Sequence, residues 1–232
     1  MPGAIVPLYT DPGLVWDQLA SAIAQTPDLP FAVILNPNSG VGSTRSERYV
    51  ANIPALLLAN VTLYGYVDTN YARRDIADIE REIGDWIAWY DITNIFFDDV
   101  APRDEHAAYY RTLTASARTL GVRATIGNPG TLAPASFVKI FDTIVAYEDP
   151  GYPRLASLEA AVDRFGLEQL AIMVIGAPYD DRAIDELIVH AHWIYASERG
   201  DDAYAELPLA FDSLLDRLHI AQAADFDLHP GL

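Results

Sequence analysis

Two adjacent aspartates follow a strongly apolar segment, and this juxtaposition is the feature of the sequence that bears most directly on chemistry. The segment spans residues 94–97 and reads Asn-Ile-Phe-Phe, and the aspartates are Asp98 and Asp99. Aspartate is unfavourable within strands and costly to bury as a charge, so the pair should lie where a buried strand ends. Close carboxyls raise each other's proton affinity, and one protonated beside one ionised carboxyl can carry out acid-base and nucleophilic chemistry on a glycosidic bond. The alternative is that one aspartate only caps the next helix.

Further polar and aromatic side chains lie at or just after the ends of other apolar segments. Glu148 directly follows the segment 143–147, where it could act with the aspartates or simply begin a loop with Asp149. The remaining candidates are tyrosines and asparagines: Tyr9, Asn36, Tyr66, Asn128, Tyr147 and Tyr195. Tyrosine rings stack on the apolar faces of sugars, and amides hydrogen-bond their hydroxyls. These residues therefore predict sugar binding, with turn formation by the asparagines and packing of the tyrosines as the alternatives.

The elements that position these residues alternate between short β-rich runs and helical stretches. The predicted strands span residues 4–9, 31–36, 62–67, 94–98, 123–127, 143–147, 170–175 and 193–196. The predicted helices span residues 15–24, 46–58, 76–90, 104–120, 134–140, 158–165, 182–191 and 208–218. Eight βα units in one chain of 232 residues favour a (β/α)8 TIM barrel over an open doubly wound sheet. We expect a single α/β domain over residues 1–220 and a loose tail over residues 221–232.

In such a barrel the chemistry lies at the carboxyl ends of the strands. The candidate residues would then form a ring around one mouth, and Glu148 could face Asp98 across it. Because neighbours on a strand face opposite sides, the sequence alone does not settle which aspartate points inward.

Composition narrows the functional classes. The chain has no cysteine, which excludes disulfides and thiolate chemistry, and its formal net charge of −18 argues against nucleic acid binding. His190 and His192 resemble a metal pair by spacing, but they precede the last strand and so belong to the opposite face of the barrel. We expect no metal and no cofactor. A divalent cation held by the acidic cluster is the alternative.

The sequence also bears on localisation. It has no apolar run long enough to span a bilayer, and its beginning lacks the basic and apolar regions of a signal peptide. We therefore expect no membrane partner, with a cytoplasmic location by default.

Several runs resemble the spherulin-4 (spherulation-specific) family, in the same order along the chain. They are Val-Pro-Leu-Tyr at 6–9, Ile-Leu-Asn-Pro-Asn-Ser-Gly-Val-Gly at 34–42, Tyr-Gly-Tyr-Val at 64–67 with a tyrosine at 71, Phe-Phe-Asp-Asp at 96–99, Gly-Asn-Pro-Gly at 127–130 and Tyr-Glu at 147–148. The resemblance implies a (β/α)8 barrel related to glycoside hydrolases that cut α-1,4-linked galactosamine or N-acetylgalactosamine polymers. It also implies an extracellular location. The hydrolases of this kind tend to have Asp-Glu at the acidic pair, where this chain has Asp98 and Asp99.

Carried over by position, the family's acidic residues fall on Asp98, Asp99 and Glu148, and we expect these to be the catalytic residues of an endo-acting, retaining hydrolase. Asp98 would attack the anomeric carbon, and Glu148 would protonate the leaving oxygen and then activate water. Asp99 would tune the pair or bind the substrate, unless the roles of the two aspartates are exchanged. A retaining mechanism predicts catalytic carboxyls about 5–5.5 Å apart. The alternative from another class is a barrel that binds carbohydrate without cleaving it.

Overall fold

The computed structural model describes residues 1–228 and shows a closed barrel of eight parallel strands, paired in sequence order from β1 to β8 and back to β1. The strands are β1 (Gly3–Leu8), β2 (Phe31–Leu35), β3 (Val61–Asp68), β4 (Asn94–Asp98), β5 (Ala124–Gly127), β6 (Thr143–Pro150), β7 (Leu170–Ile175) and β8 (Trp193–Ala196). The predicted TIM barrel is therefore confirmed, and all eight predicted strands occur within a few residues of their expected bounds.

The helices cover the outside of the barrel. They are α1 (Leu14–Gln25), α2 (Glu47–Asn52), α3 (Ile76–Tyr90), α4 (Ala107–Thr119), α5 (Leu155–Phe165), α6 (Asp181–Ile188) and α7 (Phe211–Leu228). The helix expected at 134–140 is only a 3-10 turn, Ala135–Phe137. Helix α7 continues well past residue 218, so the expected tail begins inside it, and residues 229–232 lie outside the described residues. Within the described part of the chain, none of the helices combines the length and hydrophobicity that crossing a bilayer requires.

The apolar residues whose spacing predicts α3 include the residues that this helix buries. Asp75 caps its first turn by accepting a hydrogen bond from the backbone N–H of Ala77 at 3.0 Å. Ile79, Ile83 and Trp86 are fully buried at three- and four-residue steps, which places them on one face against the barrel.

Side chains of the strands alternate between two apolar layers. Tyr66 and Phe96 belong to the layer inside the barrel, whereas Val67 and Phe97 pack outward against the helices. Because the side-chain period of a strand is two residues, Asp98 continues the inward row that Phe96 begins. The register that the sequence left open is thus fixed, with Asp98 inside the mouth.

Candidate active site at the barrel mouth

Asp98 is the last residue of β4 and lies in a largely desolvated position. The pKa of its carboxyl is raised to about 6, chiefly by burial and also by the charge of Glu148, while hydrogen bonding to Tyr66 opposes the rise. Neither aspartate caps the following helix, because α4 begins only at Ala107, after a 3-10 turn at Asp104–His106. The capping alternative therefore does not hold for either aspartate.

Glu148 reaches the mouth through an irregularity in β6. Val145 faces the inside of the barrel and pairs with Ala171, and simple alternation would turn Tyr147 inward next. A register shift between Val145 and Tyr147 instead pairs Tyr147 with an outward residue of β7 and Glu148 with the inward Met173. β-Bulges commonly re-aim a side chain in this way. The acid, rather than the tyrosine before it, is therefore directed into the barrel.

Asn128, immediately after β5, joins the two acids. Its side-chain Nδ2 donates to Asp98 Oδ1 at 2.8 Å and also to Glu148 Oε2. The orientation of the amide is fixed, because its Oδ1 accepts a hydrogen bond from the backbone N–H of Gly130 at 2.9 Å. The side chain is only 5% exposed. Asn128 thus holds the carboxyls of Asp98 and Glu148 in a fixed relation.

This shared donor limits how far apart the two acids can be. Two oxygens that accept from one nitrogen are separated by at most about 6 Å, twice an N–H···O bond length. That limit includes the roughly 5–5.5 Å expected of a retaining glycosidase and falls below the roughly 6.5–9.5 Å of an inverting one. The resulting geometry fits a direct attack by one carboxylate and leaves little room for a water between the acids.

Three tyrosines surround the acids. The ring of Tyr9 makes edge-to-face contacts with those of Tyr66 and Tyr204, with centroids 5.5 Å and 5.2 Å apart. The hydroxyl of Tyr204 donates to Glu148 Oε1. Burial raises the pKa of both Tyr9 and Tyr204, and the neighbouring carboxylates raise it further, so both stay protonated as donors.

Tyr204 was not predicted from the sequence. It lies in the connection between β8 and α7, beyond the strand ends that the sequence analysis considered, and the backbone N–H of Tyr9 donates to its carbonyl at 2.8 Å. A single aromatic residue within the acidic stretch 201–206 is the only sequence signal that could have drawn attention to it.

The other three predicted binding residues have structural roles. Asn36 Oδ1 accepts from the backbone N–H of Gly40 at 2.8 Å and so shapes its own loop. Tyr147 packs on the outer layer, with its hydroxyl donating to the carbonyl of Gly151 at 3.0 Å. Tyr195 is 1% exposed and donates to the carbonyl of Ala203, next to Tyr204. These hydrogen bonds give all three side chains structural roles, and sugar binding by them stays a prediction.

Asp99 differs from Asp98 in its backbone and its partner. Its φ of 50° is left-handed, a conformation that aspartate tolerates better than most residues. Its carbonyl accepts from the backbone N–H of Tyr71 at 2.8 Å and from Thr69 Oγ1 at 2.8 Å. Hydrogen bonding to the Asp99 carboxylate raises the pKa of Tyr71. Asp99 therefore faces the rim of the mouth, while Asp98 faces its centre.

Metal binding was the competing use of these acids. Among the residues that the structure describes, no group of three or more histidine, aspartate or glutamate side chains is arranged to hold a metal ion. The observed arrangement instead supplies amide and hydroxyl donors to the carboxylates.

The chain is similar in sequence to known proteins over most of its length. Residues 3–218 match the family model described as spherulation-specific family 4. Spherulin-4 from Physarum polycephalum is 33% identical over 150 residues, which make up 63% of this chain and 45% of that protein. The chain thus matches less than half of that relative's length.

Solved structures share the fold. Sph3 from Aspergillus clavatus, in complex with GalNAc, has a TM-score of 0.82 and 26% identity, covering 94% of this chain and 97% of that one. The orotidine 5'-monophosphate decarboxylase of Methanocaldococcus jannaschii, with inhibitor BMP, has a TM-score of 0.56 at 14% identity, covering 95% and 98%. The decarboxylase shares only the barrel fold with this chain, whereas Sph3 is also similar to it in sequence.

Proposed function

The chain belongs to spherulation-specific family 4, and from this membership and the geometry of the barrel mouth we propose that it is a glycoside hydrolase. The proposed substrate is an α-1,4-linked galactosamine or N-acetylgalactosamine polysaccharide. The proposed reaction is endo-acting and retains the configuration of the anomeric carbon. The likeness to Sph3, whose structure contains GalNAc, supports a carbohydrate-active barrel and an amino sugar as the ligand.

One observation carries this proposal: a single amide nitrogen donates to two carboxylates that come from different strands. Asp98 and Glu148 are fifty residues apart in the chain, yet both accept from Asn128 Nδ2. A purely structural role would not require two acids to converge in a partly buried mouth, where the charge of Glu148 opposes the ionisation of Asp98. Catalysis of a retaining type requires that arrangement.

The proposed roles are those that a retaining hydrolase requires of its two acids, with Asp98 in the ionised form that predominates above about pH 6. Asp98 Oδ attacks the anomeric carbon and forms an ester with it, while the glycosidic C–O bond breaks and Glu148 protonates the leaving oxygen. Glu148, now a carboxylate, then takes a proton from water, whose oxygen attacks the same carbon and breaks the ester. Both carboxyls return to their starting states. The hydroxyl of Tyr204 and the amide of Asn128 orient Glu148 throughout.

The surroundings suit an amino-sugar polymer. A formal net charge of −18 attracts the ammonium groups of partly deacetylated chains. Tyr9 and Tyr66 lie beside Asp98, and Tyr9 is partly exposed. Aromatic rings and carboxylates together are suited to binding the apolar faces and the cationic groups of such sugars.

Release of reducing ends from galactosaminogalactan tests the proposal. We expect the wild type to release them, and Asp98→Asn and Glu148→Gln to lower the rate by at least about a hundredfold while retaining binding. The control Asp28→Asn removes an exposed aspartate far from the mouth and should leave the rate unchanged. Binding by the wild type without cleavage would instead indicate a carbohydrate-binding barrel, and loss of activity in chelator would indicate a metal-dependent hydrolase.

Rescue by azide distinguishes the two acids. With Asp98→Ala, azide should attack in place of the missing nucleophile and give a β-glycosyl azide. With Glu148→Ala, azide should instead cleave the covalent intermediate and give the α product. The same stereochemistry from both variants would contradict the assigned roles.

A further inference from the structure

The segment just beyond β3 has a backbone conformation that is rarely found outside glycine. Asn70, Tyr71 and Ala72 have φ values of 44°, 54° and 64°, so three successive residues with side chains are left-handed. Such a conformation brings Cβ close to the following carbonyl and persists only where the surroundings determine it. Strain of this kind is concentrated at functional sites.

A dense set of hydrogen bonds from the catalytic strand holds this turn. Thr69, which is fully buried, donates its backbone N–H to the carbonyl of Asp98 at 3.0 Å and its hydroxyl to the carbonyls of Asp98 and Asp99 at 2.9 Å and 2.8 Å. The backbone N–H of Tyr71 donates to the carbonyl of Asp99 at 2.8 Å. The turn is therefore hydrogen-bonded to Asp98, the candidate nucleophile, and to its neighbour Asp99.

The side chain that this turn presents is an exposed aromatic ring. Tyr71 is 48% exposed, whereas every other phenylalanine, tyrosine and tryptophan that the structure describes is buried or partly buried. Hydrophobic burial would favour covering such a ring, yet a strained backbone keeps it in solvent. The backbone N–H of Tyr71, bonded to the carbonyl of Asp99 at 2.8 Å, fixes the backbone that carries the ring, and the Asp99 carboxylate beside the hydroxyl raises the pKa of Tyr71.

We propose that Tyr71 is a substrate-binding residue that stacks on a sugar unit next to the one being cleaved, and that Asp99 is its positioning residue. This inference rests on the proposed function, since it takes the amino-sugar polymer as the ligand. It gives Asp99 a role different from that of Asp98. Asp99 positions Tyr71 at the rim of the mouth, whereas Asp98 and Glu148 carry out the reaction. It also accounts for an aspartate at this position, because a left-handed backbone suits aspartate better than glutamate.

The test compares Tyr71→Asn, Tyr71→Phe and Asp99→Asn with the wild type. Asparagine tolerates the left-handed conformation better than tyrosine, so Tyr71→Asn should fold at least as stably while losing the ring. We expect its dissociation constant for partly deacetylated galactosaminogalactan oligosaccharides, measured by calorimetry in a Glu148→Gln background, to rise about tenfold. Tyr71→Phe should stay within about threefold of wild type, and Asp99→Asn should fall between the two. Each variant should raise KM more than it lowers kcat.

Leu57→Ala is the matched control, because Leu57 is 60% exposed and precedes β3, at the opposite end of the barrel. It should leave the dissociation constant unchanged. If the wild type binds and cleaves the polymer and Tyr71→Asn does so equally well, the inference about Tyr71 is overturned while the proposed function stands. If the wild type neither binds nor cleaves it, the proposed function fails and the inference fails with it.

Discussion

Replacing Asp98 with asparagine should remove catalysis and at the same time stabilise the fold near neutral pH. The folded protein raises the pKa of Asp98 to about 6, against a value of 3.8 without the protein environment. The folded state therefore holds a proton that the unfolded chain releases between about pH 4 and 6, and stability falls as pH rises through that window. Above about pH 6 the carboxyl is ionised in the folded state as well, and its buried charge then lowers the free energy of unfolding by the full amount. A shift of about two pKa units corresponds to about 3 kcal/mol.

Asparagine is nearly isosteric with aspartate and can still accept the hydrogen bond from Asn128, but it does not ionise. We expect Asp98→Asn to exceed the wild type in free energy of unfolding by about 1–3 kcal/mol at pH 7.5, and by much less at pH 4.5. The lower end of that range allows for the second carboxylate oxygen, whose hydrogen bonds the amide group cannot fully replace. For a chain of this size the gain at pH 7.5 is several degrees in Tm.

Urea unfolding of both proteins at the two pH values measures the effect. Asp28→Asn is the control, since Asp28 is exposed in the loop between α1 and β2 and its replacement should change stability equally and slightly at both pH values. A variant at Asp98 that gains nothing at pH 7.5, or gains as much at pH 4.5, would refute the reasoning that burial of this carboxyl destabilises the native state.

Three further substitutions test other contacts. Asn128→Ala should lower kcat by at least about a hundredfold and raise the pKa of the acidic limb of the pH-rate profile, because it removes a donor from both carboxylates; an unchanged profile would contradict this. Tyr204→Phe should lower kcat about tenfold and keep KM within a few fold, since only the donor to Glu148 is lost; an unaltered kcat would exclude that role. Gly65→Ala should destabilise by more than about 2 kcal/mol in urea unfolding, because its new Cβ would lie 2.5 Å from an indole atom, whereas Gly84→Ala, with no atom within 4 Å, should be neutral or stabilising. Equal effects of the two glycine substitutions would contradict the packing argument.

The barrel could be predicted because its signals are local. Each strand is a short β-rich run, and the helix over residues 76–90 shows its buried face and its capping residue in the sequence itself. The missing fifth helix could not be predicted in this way. Residues 134–140 carry apolar side chains that suit a helix, but the structure uses them in a 3-10 turn that packs Phe137 into the core.

The acids could be predicted as a group, but their arrangement could not. Asp98 and Glu148 were found because carboxylates at strand ends are conspicuous, whereas the donors that organise them lie elsewhere. Asn128 was expected to bind substrate, and the structure gives its amide to the carboxylates. Tyr204 comes from a loop whose path over the mouth depends on contacts with Tyr9, and no pattern within that loop specifies those contacts.

A single register shift connects the fold to the proposed chemistry. Without the irregularity between Val145 and Tyr147, alternation along β6 would place Tyr147 in the barrel and turn Glu148 outward toward the helices. Asp98 would then lack a partner acid, since its own strand is regular and its neighbour Asp99 faces the rim. Because β4 is regular and β6 is shifted by one residue, each strand directs one carboxyl inward. The two carboxyls therefore reach the same amide nitrogen of Asn128.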